Sequence, residues 1–161
     1  MGANSRLTIA SHALVVIAHR LQKYGEQYDF CTSQEIADSV NTNPVILREL
    51  LGMMEKQHLV RVQRGCNAGW KLARQPEEIT LLDVYHAVKP GSVFAMHHTP
   101  PNPHCQVGNG ISSVLKGVYA NVQHTLEQEL ANTTIADILR DSLAGSSTYN
   151  VLIEEQASTS I

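Results

Sequence analysis

Residues 59–74 read "LVRVQRGCNAGWKLAR", and the fold turns on how this stretch is taken. Val60 and Val62 alternate with Arg61 and Gln63, the two-residue period of a half-buried strand. A glycine-containing turn over 64–69 leads to a second short run over 70–73, so the segment predicts a β-hairpin with its first strand at 59–63. Arg61, Gln63 and Lys71 occupy polar positions of the hairpin, and Arg64 stands at its tip beside Gly65, where the backbone can come close to a partner. Trp70 opens the return strand, and an indole at such a place is expected to pack beneath the hairpin.

The residues just before the hairpin carry two helix starts. Thr32 and Glu35 have the spacing of a capping box, which predicts a short helix at 33–40. Asn43 followed by Pro44 is an N-cap with proline at the first helical position, opening a longer helix to residue 57 with Leu47, Leu50, Leu51 and Met54 on one stripe. Only Asn41, Thr42 and Asn43 separate the two, which makes a tight helix-turn-helix whose second member presents Val45, Ile46 and Arg48 on its first turn. A helix-turn-helix followed at once by a basic hairpin is a winged helix. The expected contacts to double-stranded DNA are therefore Ser33, Asn43, Val45, Ile46 and Arg48 from the helices, with Arg61, Arg64, Gly65 and Lys71 from the wing. A winged helix can also serve as a protein-docking module, and the salt dependence of DNA binding separates the two uses.

Charge supports the first use. The net charge of -3 conceals nine Lys or Arg against six Asp or Glu in residues 1–74, and three against nine in residues 75–161. Six of the twelve basic residues fall between Arg48 and Arg74, the pattern of polyanion binding confined to one region.

Upstream, Leu7, Ala10, Leu14, Ile17, Ala18 and Leu21 follow a helical spacing ended by Gly25, a first helix that should be largely buried. His12 and His19 share one face of it and are read as ordinary surface or core histidines. Downstream, Thr80 and Asp83 open a helix to about Val88, and Pro90 and Gly91 end it. Ile111, Val114, Leu115, Val118, Tyr119, Val122, Leu126 and Leu130 then recur at three and four for about five turns. So long a stripe wants a partner helix, and the same helix of a second subunit supplies one. A two-fold dimer would set two reading helices about one DNA turn apart and so predicts a pseudo-palindromic operator. The expected architecture is mainly α with a small β-hairpin wing: a winged helix-turn-helix at 1–90, a sensor loop at 91–110, a dimerisation helix region at 111–145 and a loosely ordered tail at 146–161.

The chain has 161 residues, 43% of them apolar, but no run of about 18 apolar residues and no signal-peptide core. Its opening Met-Gly has Arg6 where a myristoylation motif wants Ser or Thr. A cytoplasmic protein with no membrane partner is expected. There is no glycine-rich phosphate loop and no metalloprotease motif, and the adjacent His104 and Cys105 are poor geometry for a catalytic dyad, so no enzyme is expected.

The segments "TSQEIADSVNTNPVILRELLGMMEKQHLVRVQRG" and "GWKLARQPEEITLLDVYHAV", with "SR" near the N-terminus, resemble the Rrf2 family of bacterial winged-helix transcription regulators over about residues 1–145. That family includes the iron-sulfur cluster regulator, the nitric-oxide-sensing repressor and the cysteine-metabolism repressor. The resemblance implies a homodimer on a palindromic operator, usually a repressor. In the wing, Ala68 replaces the first of two adjacent glycines and Trp70 fills the aromatic place.

Cluster-binding members carry three closely spaced cysteines in the loop before the dimerisation helix. Here that loop, "VFAMHHTPPNPHCQVGNGI", has Cys105 alone. One cysteine and three histidines do not make the set of about four ligands, chiefly thiolates, that an iron-sulfur cluster needs. No cofactor is expected; the alternative is a metal- or iron-sulfur-responsive regulator, in which His97, His98, His104 and Cys105 hold zinc or copper, or a cluster with unusual ligands shared between subunits. Some cluster-free members answer oxidants through a disulfide between a cysteine near the helix-turn-helix and one in this loop of the other subunit, and the resemblance places Cys31 and Cys105 in those roles. Cys31 precedes the Thr32 cap, near the positive end of a helix, which favours thiolate. Cys66, at the wing tip, is a third redox candidate.

Overall fold

Where apolar side chains can close on one another without help, the chain does so around its first helix. The structure, a computed structural model, describes residues 3–26, 30–88 and 91–145. In chain order the elements are α1 (Ala3–Tyr24), α2 (Ser33–Val40), α3 (Pro44–Lys56), β1 (Val60–Gln63), β2 (Gly69–Leu72), a single 3-10 turn (Pro76–Glu78), α4 (Leu81–Val88), α5 (Gln106–Ala131) and α6 (Ile135–Leu143). Leu14 and Ile17 of α1, Ile36 of α2, Leu47, Leu50, Leu51 and Met54 of α3, and Val84 and Val88 of α4 share one buried cluster. The expected winged helix-turn-helix is what forms, with α2 at the bounds its capping box implies.

Local chemistry sets the ends of these helices. The Thr32 amide donates to Glu35 Oε2 at 2.8 Å and the Glu35 amide to Thr32 Oγ1 at 3.2 Å, which closes the box at the start of α2. Asn41 ends that helix in the left-handed conformation, φ 55°, so the chain turns within three residues. Asn43 Oδ1 then accepts from the Val45 amide at 2.8 Å, and α3 begins. At the far end His58 takes φ 55° while the Leu59 amide donates to the Met54 carbonyl at 3.0 Å, a Schellman closure made without glycine that aims the chain into β1.

The hairpin is antiparallel, with Val60 opposite Leu72 and Gln63 opposite Gly69. The outer edge of β2 gains a third, one-residue strand: the Cys31 amide donates to the Trp70 carbonyl at 2.8 Å and the Trp70 amide to the Cys31 carbonyl at 2.7 Å. A Cβ at Gly69 would lie 3.0 Å from the Cys31 carbonyl oxygen, a contact tight enough that a side chain there would push the Cys31 backbone back by a few tenths of an ångström.

Two features of the second half depart from the sequence reading. The long helix begins at Gln106, five residues before the first position of the expected stripe, so the loop is shorter. After it, α6 turns back onto α1, with Ile135 fully buried and Leu139 nearly so in the same core. The start of α6 is clipped beside α4, where the Leu81 amide donates to the Thr133 carbonyl and the Ile135 amide to the Ile79 carbonyl, both at 2.9 Å. Thr134 and Asp137, a capping box overlooked in the sequence, start that helix. The expected tail at 146–161 and the Pro90 stop lie outside the described residues. No described helix is long and apolar enough to cross a membrane.

Candidate nucleic-acid interface

The exposed first turn of α3 and the wing form the surface that sequence singled out. Val45 is 65% exposed, an aliphatic side chain held outward at the start of a helix. Arg48, one turn further on, is exposed, and its Nε donates to the Pro44 carbonyl at 3.2 Å. That bond anchors the guanidinium beside Val45. In the wing, Arg61 and Arg64 are exposed, and among the described residues neither has an ion-pair partner. Arg61 stands directly opposite Lys71 across the hairpin. The pairing puts two basic side chains on one face of the wing. Lys71 also rests its ammonium 4.7 Å from the Phe30 ring centroid, a cation–π contact that holds the side chain in place.

The wing tip is shaped by two left-handed residues, Gly65 at φ 90° and Asn67 at φ 62°. Gln63 Nε2 donates to the Cys66 carbonyl at 3.4 Å, closing the turn.

Other predicted contact residues serve the scaffold. Asn43 spends its side-chain oxygen on the Val45 amide, and Ile46 is half-buried against the core. Ser33 Oγ accepts from Trp70 Nε1 at 3.1 Å. Trp70 is therefore the packing residue expected of it, and its bond to Ser33 ties the wing to α2. Phe30 and Gly69 belong to the machinery of the wing and were not singled out from sequence. The glycine next to a strand-starting tryptophan was the available signal for Gly69.

The three cysteines differ in exposure. Cys31 is 1% exposed and lies in the main core cluster, so closeness to a helix start does not present its thiol to a solvent oxidant. The burial has a simple cause: the Cys31–Trp70 bridge pulls this residue beneath the wing. Cys66 is exposed at the tip, as expected from sequence. Cys105 is also exposed and is the N-cap of α5. The Gly108 and Val107 amides hold its thiol below the usual range by stabilising the thiolate. A Cβ at Gly108 would come within 2.5 Å of the Asn102 carbonyl oxygen, so the loop is folded tightly over this first turn. The Arg20 guanidinium donates to Glu35 at 2.8 Å; this bond, after the Thr32 amide and hydroxyl, helps keep the Glu35 carboxyl below its ordinary range.

Residues 3–141 match the model of the Rrf2 family, described as iron-dependent transcriptional regulators. The chain belongs to the Rrf2 family. It is 39% identical over 138 residues to YwnA of Bacillus subtilis strain 168, named for helix-turn-helix-type transcriptional regulation, covering 84% of this chain and 96% of that protein. It is similar to the crystal structure of a protein named as DNA-binding, with 31% identity, a TM-score of 0.62 and coverage of 83% of this chain and 98% of the other. A transcriptional regulator from Lactobacillus plantarum shares the fold at 22% identity, with a TM-score of 0.70 over 95% of this chain and 97% of the other.

Iron in the family description calls for a donor set, and the residues present do not fit a conventional cluster. Among the described residues no three His, Cys, Asp or Glu side chains converge, and the loop supplies one thiol with His97, His98 and His104.

Proposed function

We propose that this Rrf2-family regulator acts as a cytoplasmic homodimer that represses transcription from a pseudo-palindromic operator. In this reading α3 enters the major groove with Val45 and Arg48 at its leading turn, while Arg61, Arg64 and Lys71 of the wing hold the backbone or adjacent minor groove. The observation that supports it most is the pair of exposed wing arginines, without ion-pair partners among the described residues, beside an outward-facing valine on the first turn of α3. Fluorescence anisotropy of duplex DNA across a salt series tests it. Arg64→Ala should weaken binding to every sequence and lower the salt slope by about 1, whereas Val45 or Arg48 variants change sequence preference. Equal affinity of the Arg64 variant at low salt counts against the wing's role.

The dimer reading is supported by α5, where Val107, Val114, Val118 and Val122 all remain exposed along one helix. The signal is an oxidant acting on thiols. Cys105 is the entry point, because its thiolate is both exposed and stabilised. A peroxide or hypochlorous acid converts it to the sulfenic acid, and a second thiolate attacks that sulfur, breaking the S–O bond to give a disulfide and hydroxide, which takes a proton and leaves as water. Cys31 of the other subunit can be that second thiol only if its bridge to Trp70 opens, which would carry the oxidation event directly into the wing. A non-reducing gel after mild oxidation should show a covalent dimer that is lost in both Cys105→Ser and Cys31→Ser. A monomer band throughout removes the intersubunit disulfide.

A further inference from the structure

Between the end of α4, residues 91–96 and the middle of α5 lies a pocket of about 520 Å³. That volume is within the roughly 300–1,000 Å³ of small-molecule sites. One wall is aromatic: the Phe94 and Tyr119 rings stack with centroids 4.8 Å apart and planes at 29°. Phe94 nonetheless stays 44% exposed, with Met96 and Ala120 beside it in the lining. The opposite wall is polar and already locked. Tyr85 Oη donates to the Gly91 carbonyl at 3.4 Å and accepts from Gln123 Nε2 at 2.9 Å, and the same amide donates to Glu127 at 2.8 Å. Phenol and amide therefore face the cavity in fixed orientations, with little left to order on binding.

Charge is what selects the ligand. His86 in the lining lies 3.9 Å from Glu127, which answers any positive charge it takes. Lys116, also in the lining, has no hydrogen bond or ion pair among the described residues. An aromatic slot with one unanswered ammonium at its edge matches a flat ring bearing one acidic group.

We propose that this pocket is a binding site for a small planar aromatic carboxylate, its ring against Phe94 and Tyr119 and its carboxylate on Lys116. The exposed valines of α5 are centred roughly 150° around the helix from Lys116, Tyr119, Ala120 and Gln123, so a dimer formed along the valines leaves the pocket open. Because α4 also packs on α1 and α3, a molecule wedged between α4 and α5 pushes on the helix that supports the reading head. That consequence rests on the DNA-binding reading; the binding itself does not.

The test is isothermal titration of the full chain, without DNA, using 1-naphthoate as the probe. Saturable one-site binding is expected. Lys116→Gln should weaken it about tenfold, the loss of one charge-assisted contact near solvent. Ala120→Trp, at an exposed position, should fill the slot and abolish binding while the helical circular dichroism is unchanged. Uncharged 1-naphthalenemethanol should bind wild type and Lys116→Gln equally. No saturable binding to wild type, or undiminished binding to Ala120→Trp, overturns the site; undiminished naphthoate binding to Lys116→Gln overturns the carboxylate assignment. Repeating the DNA anisotropy with saturating naphthoate then separates the two ideas. A changed duplex affinity supports the coupling through α4. An unchanged affinity, with the titration positive, removes the coupling and keeps the site, and absence of duplex binding both with and without naphthoate fails only the DNA reading.

Discussion

Of the thirteen residues of α3, Leu47, Leu50, Leu51 and Met54 are buried, whereas α5, with twice the length at 26 residues, buries none. Both carry apolar side chains at three- and four-residue intervals. The difference is geometric. α3 is enclosed by α1, α2, α4 and the foot of the hairpin, while among the helices α5 meets chiefly α4. An apolar stripe shows that a helix needs a partner, and only the surrounding chain shows whether that partner is already present.

The comparison breaks most visibly if α3 is hollowed out. Leu51→Ala leaves a cavity in a closed core and should cost about 2–5 kcal/mol, lowering the melting temperature by roughly 10 °C in a thermal scan. Val114→Lys combined with Val118→Lys on α5 should leave that temperature for the isolated subunit nearly unchanged. If the valines are the dimer seam, the double variant should instead run as a monomer in size-exclusion chromatography with light scattering, at concentrations more than tenfold above those where wild type is dimeric. A dimer that survives both lysines moves the seam elsewhere.

The smallest effect sharpens the contrast from the side of pH. Glu35 is stabilised as a carboxylate by the Thr32 amide and hydroxyl and by Arg20, so its folded pKa is depressed. Its contribution to stability is present above the unfolded value of about 4.3 and is lost as pH falls through the lower folded value. Glu35→Gln should therefore lower the melting temperature most at neutral pH, with the gap closing below about pH 4. A gap that stays constant with pH would mean that the cap works by geometry alone.

These contrasts explain which parts of the fold could be read in advance. The helix-turn-helix was legible because its signals are local: the Thr32 and Glu35 box, the Asn43-Pro44 start, and three polar residues between two helices. The hairpin was legible from alternation and a glycine-bearing turn. The return of α6 onto α1 was not legible, although its Thr134 and Asp137 cap has the same local form, because a cap marks where a helix starts and not which distant helix it packs on. Of the interface, Val45, Arg48, Arg61 and Arg64 are presented outward, while Ser33, Asn43 and Ile46 are absorbed into caps and packing.

The cysteines divide along the same line. Cys31 and Cys105 both stand next to a helix start, a relation that spacing reveals. Exposure separates them: Cys31 is drawn under the wing by its backbone pairing with Trp70, 39 positions along the chain, and Cys105 is left at the surface by the turn over Asn102. Helices, caps, turn and basic wing follow from interactions a few residues apart and so are written in the order of the amino acids. Which thiol is exposed, which stripe is left without cover, and whether Tyr85, Phe94, Tyr119 and Gln123 enclose a pocket depend on segments distant in the chain, and these were settled only when the core closed.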